Sequence, residues 1–162
     1  MAVERLPDKG AWWRWMILPL RRYARFHGRS GRREFWWFFL AQTVVYVALV
    51  GTVIASILFG IALEEQGSRG AETGWIVLFG GAFLAFAVIY LALFVPTLAV
   101  TVRRLHDLGM SGWIALPLYL ASWFLSFIGY GIYVVMMALP GQGTENAYGP
   151  PVYGDQLAPV FE

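Results

Sequence analysis

The stretch that decides the fold is Phe35–Leu63, FWWFFLAQTVVYVALVGTVIASILFGIAL, in which none of 29 residues is charged. Two more charge-free runs follow, Trp75–Val102 and Leu108–Thr144, and the most apolar part of the last run is residues 113–139. A helix needs about 20 apolar residues to cross the hydrocarbon core of a bilayer. The sequence therefore predicts an all-α, polytopic membrane protein with three transmembrane helices, at about 35–63, 75–102 and 113–139.

The composition agrees with a membrane protein. Hydrophobic residues make up 59% of the chain and charged residues 14%, against about 45–50% and 25% in soluble domains. The 162 residues divide into a basic, Trp-rich segment (1–34), a helical bundle (35–139) and a short tail rich in Gly and Pro (140–162). With no cysteine, and with His27 and His106 as the only histidines, neither a metal site nor a cofactor is predicted.

Two segments have alternative interpretations. Residues Ala11–Phe26 combine Trp with Arg and are too short and too charged to span. They form either a helix in the headgroup region or a linker whose Trp residues pack on the bundle. The third apolar run spans once, or it enters the membrane and returns near Phe127–Gly131, which would leave the tail on the side where the run began.

The distribution of positive charge predicts the orientation. Nine of the twelve Lys and Arg residues precede residue 35, Arg103 and Arg104 lie in the second loop, and the first loop has only Arg69. Because Lys and Arg near the ends of spans accumulate on the cytoplasmic side, we expect the N-terminus and second loop to face the cytoplasm of a bacterial cell. Three full spans would place the C-terminus on the periplasmic side. We interpret the basic pI as a sign of topology and lipid contact and expect no nucleic acid partner.

Two polar clusters at the predicted cytoplasmic face are the candidate binding site. Their members are Arg29, Arg32, Arg33, Glu34, Arg103, Arg104, His106 and Asp107. One interpretation is ion pairing within the protein: Arg103 with Asp107 at i,i+4, and Glu34 with Arg103 or Arg104. The other is a pocket for an anionic headgroup or phosphate, which guanidinium groups bind through paired hydrogen bonds. No nucleophile or paired carboxylates accompany His106 and Asp107, so no catalytic residue is predicted.

These clusters and the tail resemble the bacterial inner-membrane family known as domain of unknown function 805. The matching motifs are Gly-Arg-x-x-Arg-x-Glu-Phe-Trp, from Gly28 to Trp36 with Arg32 or Arg33 as its second arginine; Arg-Arg-Leu-His-Asp-x-x-x-Ser-Gly-Trp, from Arg103 to Trp113; and a closing motif at Pro140, Gly141, Asn146, Tyr148 and Gly149. In the closing motif the inner glycine lies one position early, at Gly143. The resemblance implies a small helical membrane protein and carries no activity to transfer. The candidate tail residues Asn146, Tyr148 and Gly149 are expected to form a tight turn.

Three functions are compatible with this pattern. The preferred hypothesis is a non-enzymatic inner-membrane protein whose Arg-rich cytoplasmic face binds anionic lipid or a partner membrane protein. The alternative is a small transporter or channel-like homo-oligomer, since the predicted helices lack the buried ionisable residues that a monomeric pump needs. The third is a membrane enzyme acting on a phosphorylated lipid.

Overall fold

The computed structural model describes residues 6–8, 10–65 and 71–153. The helices are α1 (Trp12–Arg21), α2 (Arg32–Glu65), α3 (Ala71–Asp107), a 3-10 turn (Gly112–Ile114), α4 (Ala115–Phe124) and α5 (Ser126–Ala138). Apart from one isolated bridge between Asn146 and Gly149, the described residues contain no extended pairing. The all-α prediction is confirmed for this part of the chain. The residues group into two compact units, the first made of residues 1–39 and 95–162 and the second of residues 40–94.

The two long helices match the first two predicted spans. α2 has 34 residues and α3 has 37, so each is about 50 Å long against a hydrocarbon thickness of about 30 Å. Glu34 lies in the first turn of α2, where the negative charge of a carboxylate interacts favourably with the positive end of the helix dipole. α3 ends at Asp107 because Gly109 adopts a φ of +77° and Met110 donates its N–H to the carbonyl of Leu105, a Schellman motif.

The second unit exposes its apolar side chains. Val47, Val77 and Leu91 are each 67% exposed, whereas a core helix of a soluble protein would bury such residues. Within the unit, Tyr46 and Tyr90 lie with ring centroids 5.8 Å apart. Apolar side chains facing outward on long helices are what a lipid solvent requires.

The third apolar run is not one continuous helix. It breaks at Leu125 and Ser126, where Ser126 has a φ of +45°, and α4 and α5 turn back on each other. Their 10 and 13 residues reach about 15 and 20 Å, which is too short to cross the bilayer. Residues 113–139 therefore form a helical hairpin and not one continuous helix, with the break slightly before the expected Phe127–Gly131. A re-entrant path through the membrane stays a prediction.

The N-terminal segment forms a helix. α1 buries Trp15 and Leu18 and leaves Trp12 and Trp13 about half exposed. The Trp12 ring lies 6.0 Å from that of Trp37 on α2. Residues Trp12–Arg21 are helical, as the first interpretation expects, and Trp15 packs within the first unit, as the second expects. A location in the headgroup region stays a prediction.

Candidate functional site: a buried ionic network

Glu34 is the first of two buried carboxylates among the described residues of the first unit. Its Oε2 accepts a hydrogen bond from Arg22 Nη1 at 3.0 Å, and its Oε1 lies 2.8 Å from Arg103 Nη1. The side chains of Glu34 and Arg103 are both 1% exposed. Among the described residues, Arg103 Nη2 has no hydrogen-bond partner. One carboxylate thus joins the segment after α1, the first turn of α2 and the last turns of α3.

Asp107, the last residue of α3, is the second carboxylate. Its Oδ1 accepts from Arg29 Nε at 3.0 Å, and its Oδ2 pairs with Arg104 Nη1. Arg29 and Arg104 are 2% and 0% exposed. A buried charge that loses its partner is costly, typically about 3–5 kcal/mol, so these pairs hold the approach to α2 against the end of α3.

Backbone carbonyls at the end of α5 and in the tail complete the network. Arg29 donates to the carbonyls of Thr144 at 2.8 Å, Gly149 at 3.2 Å and Gln142, while Arg104 donates to those of Met137 and Leu139. Two carboxylates cannot neutralise four guanidinium groups, and carbonyl oxygens supply the remaining acceptors. The tail therefore lies against Arg29 and the end of α5 against Arg104, at the same end of the unit as the start of α2.

His106 is engaged on several sides. Its Nδ1 lies 3.1 Å from the carbonyl oxygen of Gly28, so this nitrogen is the donor. Its ring stacks on Tyr148 with centroids 3.8 Å apart and planes 4° from parallel. Asn146 Nδ2 donates to the His106 carbonyl at 3.0 Å, and Asn146 Oδ1 accepts from the N–H of Tyr148 at 2.9 Å. The tight turn predicted at Asn146, Tyr148 and Gly149 is present and is clamped onto the end of α3.

Arg32 and Arg33 differ from the other candidate arginines because they are exposed. The Arg33 guanidinium lies 6.0 Å from the ring centroid of Tyr153, and the Arg33 N–H donates to the Tyr153 hydroxyl oxygen at 3.4 Å. Burial raises the pKa of the Tyr153 phenol, so it stays protonated at neutral pH. A cavity of about 170 Å³ lies beside Arg32, Asp107, Tyr153 and residues 140–143.

The structure brings together most of the predicted site residues and corrects one pair. Of the two partners considered for Glu34, the structure shows Arg103. The Arg103–Asp107 pair at i,i+4 is wrong: Asp107 pairs with Arg104 at i,i+3. Successive residues on a helix point about 100° apart, so Arg103 faces Glu34 and Arg104 faces Asp107 and the end of α5. Anion binding by these side chains stays a prediction.

Two features escaped the sequence interpretation. Arg22 belongs to the buried network although it lies ten residues before α2, and only its position in the Arg-rich segment marked it. Thr101 Oγ1 lies 3.1 Å from the hydroxyls of both Tyr119 and Tyr133. This buried contact ties α3 to α4 and α5. No spacing rule in the sequence connects these three residues. They meet only because α4 and α5 form a hairpin, and the sequence left open whether residues 113–139 form a hairpin or a single helix.

The two long apolar helices, the lipid-like exposure of the second unit and the internally paired arginines define a small helical membrane protein. The chain belongs to the family described as protein of unknown function DUF805, whose sequence model matches residues 23–150. It is similar to the inner membrane protein YhaI of Escherichia coli K12, with 32% identity over 135 residues covering 83% of this chain and 92% of the relative.

It is also similar to the inner membrane protein YhaH of the same strain, with 31% identity over 136 residues, 84% of this chain and 93% of the relative. No solved structure matches the chain. The names of both relatives agree with the predicted inner-membrane location. The three motifs that carried the family resemblance are the ones that meet in the ionic network.

Proposed function

We propose that this protein is a non-enzymatic inner-membrane protein that binds anionic lipid headgroups through the exposed arginines at the start of α2. The single observation that carries the proposal is the division of the arginines. Arg29, Arg103 and Arg104 direct their donors inward to carboxylates and carbonyls, whereas Arg32 and Arg33 are exposed. The buried set holds the fold, and the exposed pair is free of carboxylate partners among the described residues.

α1 supports this assignment. Its exposed face carries Trp12, Trp13 and Arg14, and indole rings and guanidinium groups are both favoured in the headgroup region. The buried residues Trp15 and Leu18 attach the helix to the same unit that holds Arg32. α1 then lies along the interface and adds apolar contacts to the charge of Arg32 and Arg33.

The tail contacts support one proposal for the sidedness of the chain. Because residues 142–149 bond to Arg29 and His106, the tail and the start of α2 share one membrane face, and the positive charge assigns that face to the cytoplasm. Both termini are then cytoplasmic, with two spans and one re-entrant hairpin. This revises the periplasmic C-terminus that three spans would require.

Fusions at Glu162 test this topology. We expect green fluorescent protein fused there to fluoresce and alkaline phosphatase fused there to be inactive, since both report a cytoplasmic end. Fusion of the same pair after Glu65, between the two spans, is the control and should reverse both readings. An active phosphatase at Glu162 would contradict the topology.

Lipid binding is tested on the detergent-solubilised protein by native mass spectrometry, with phosphatidylglycerol and phosphatidylcholine as probes. Each basic residue near an anionic surface contributes about 1 kcal/mol, so the double variant Arg32→Gln, Arg33→Gln should bind phosphatidylglycerol roughly tenfold to thirtyfold more weakly. Phosphatidylcholine binding should not change.

The matched control is Arg32→Lys, Arg33→Lys, which keeps both charges and should retain most of the binding, with a modest loss of bidentate geometry. Unchanged phosphatidylglycerol binding in the glutamine variant would overturn the proposal. So would equal binding of the two lipids by the wild-type protein.

Transport and catalysis have less support. The hydroxyls of Thr101, Tyr119 and Tyr133 contact one another. The Nδ1 of His106 is hydrogen-bonded to the carbonyl oxygen of Gly28, and the His106 ring stacks on the ring of Tyr148. Each of these groups has an evident structural role in the first unit.

A further inference from the structure

A cavity opens beside the ionic network, between the start of α2 and the tail. Its volume is about 170 Å³, and its polar side chains include those of Arg32, Asp107 and Tyr153. The tail segments 140–143 and 151–152 form the remaining wall. Since one ordered water needs only about 10–15 Å³, the cavity has room for a ligand of roughly ten non-hydrogen atoms.

The charges around this cavity favour an anion. Asp107 is shared by Arg29 and Arg104, so positive charge is already in excess before Arg32 is counted. The charges of Arg32 and Arg104 repel each other, and an anion bound at Arg32 relieves that repulsion. Phosphate suits this position, because a guanidinium group binds it through paired hydrogen bonds. The protonated hydroxyl of Tyr153 can donate a further hydrogen bond to the same anion.

Asp107 asks for a different kind of group. An ionised carboxylate has about four acceptor positions, and Arg29 reaches Oδ1 with Nε at 3.0 Å and Nη2 at 2.9 Å, while Arg104 Nη1 pairs with Oδ2. One position therefore remains on Oδ2, in the wall of the cavity. A second anion is repelled by this carboxylate, and an ammonium group is disfavoured by the surrounding guanidinium groups. A neutral hydroxyl that donates to Oδ2 satisfies both conditions.

We propose that this cavity binds a phosphate ester that carries a polyol, with the phosphate at Arg32 and Tyr153 and a hydroxyl donating to Asp107. The apolar rings of Pro140 and Pro151 face the carbon skeleton of such a ligand. The inference rests on the lipid binding proposed above, because Arg32 serves both. It names the headgroup as a glycerol phosphodiester, such as that of phosphatidylglycerol. A soluble glycerol phosphate has the same chemistry.

The lipid arm of the test compares phosphatidylglycerol with phosphatidylmethanol, which has the same single negative charge and no hydroxyl on its headgroup. By native mass spectrometry of the detergent-solubilised protein, we expect phosphatidylglycerol to bind roughly fivefold more tightly, the effect of one net hydrogen bond. Arg32→Gln should bring this ratio to one. Gly143→Leu should do the same by filling the cavity, and the fold has space for it, because no neighbouring atom lies within 4 Å of a β-carbon built at Gly143.

The matched control is Arg33→Gln, which removes the same charge from the next residue. Arg33 is not among the residues that line the cavity, and its guanidinium lies over the Tyr153 ring. We expect this variant to weaken both lipids by the same factor and to keep the ratio between them. The preference for a polyol is thereby separated from attraction to charge.

The soluble arm repeats the comparison with glycerol 3-phosphate and methyl phosphate. A preference within the lipid pair identifies a headgroup as the ligand, and a preference within the soluble pair alone identifies a free ester. Equal binding within both pairs would overturn the cavity site. If both anionic lipids then still bind more tightly than phosphatidylcholine, the function proposed above stands without it. A preference that survives in both Arg32→Gln and Gly143→Leu would also overturn the inference, since the polyol would then be recognised elsewhere.

Discussion

Replacing Asp107 with asparagine is expected to lower the free energy of unfolding by about 3–5 kcal/mol. The change keeps the shape of the side chain and removes its charge, so Arg29 and Arg104, which are 2% and 0% exposed, lose their shared carboxylate. The measurement is equilibrium unfolding by sodium dodecyl sulfate in mixed micelles.

The matched control for this prediction is Glu145→Gln, which removes the same charge from an exposed side chain of the tail. Exposed substitutions of this kind stay within about 0.5 kcal/mol. Equal effects at Asp107 and Glu145 would contradict the buried network, since they would show that only net charge matters.

Replacing Gly129 with valine is expected to destabilise the protein by about 3 kcal/mol, because the hairpin cannot absorb added volume there. A β-carbon at Gly129 would collide with the backbone carbonyl group of Ala121 on α4, and backbone moves less readily than a side chain. The same unfolding experiment measures the loss.

Gly131 provides the control on the same helix. No atom outside its own helix lies within 4 Å of a β-carbon built at Gly131, and glycine and valine differ in helix propensity by less than about 0.5 kcal/mol. Gly131→Val should therefore be nearly neutral. A comparable loss at both glycines would mean that α5 tolerates valine poorly in general and would remove the evidence for close packing of the hairpin.

The ionic network and the lipid proposal make opposite demands on the arginines. Lipid binding needs guanidinium groups that reach the headgroups, while Arg103 and Arg104 are at most 1% exposed. Had all the candidate residues been treated as one binding site, substitution of Arg103 and Arg104 would have disrupted the fold and appeared as lost binding. Arg32 and Arg33 separate the two effects.

The sequence by itself determined the helical membrane class, the first two spans and the two polar clusters. These properties depend on local composition. The length of a charge-free run decides whether it can span the membrane, and the arginines that flank the run mark its ends. The tail turn also belongs here, because Asn and Gly favour tight turns wherever they occur together. The Glu34–Arg103 pair was one of two alternatives for the same reason, since Glu34 lies at the start of one long helix and Arg103 near the end of the next.

Only the tertiary structure decided which charges meet, which arginines stay exposed and where the third run breaks. Arg103 and Arg104 are identical in type and adjacent in sequence, yet the helical rotation between them gives one to Glu34 and the other to Asp107. The break at Ser126 has no strong local signal, because it depends on close packing between Gly129 and Ala121 across the hairpin. Such contacts depend on the direction in which a side chain points and on its distance from residues far away in the sequence. The residue types along one segment determine neither of these.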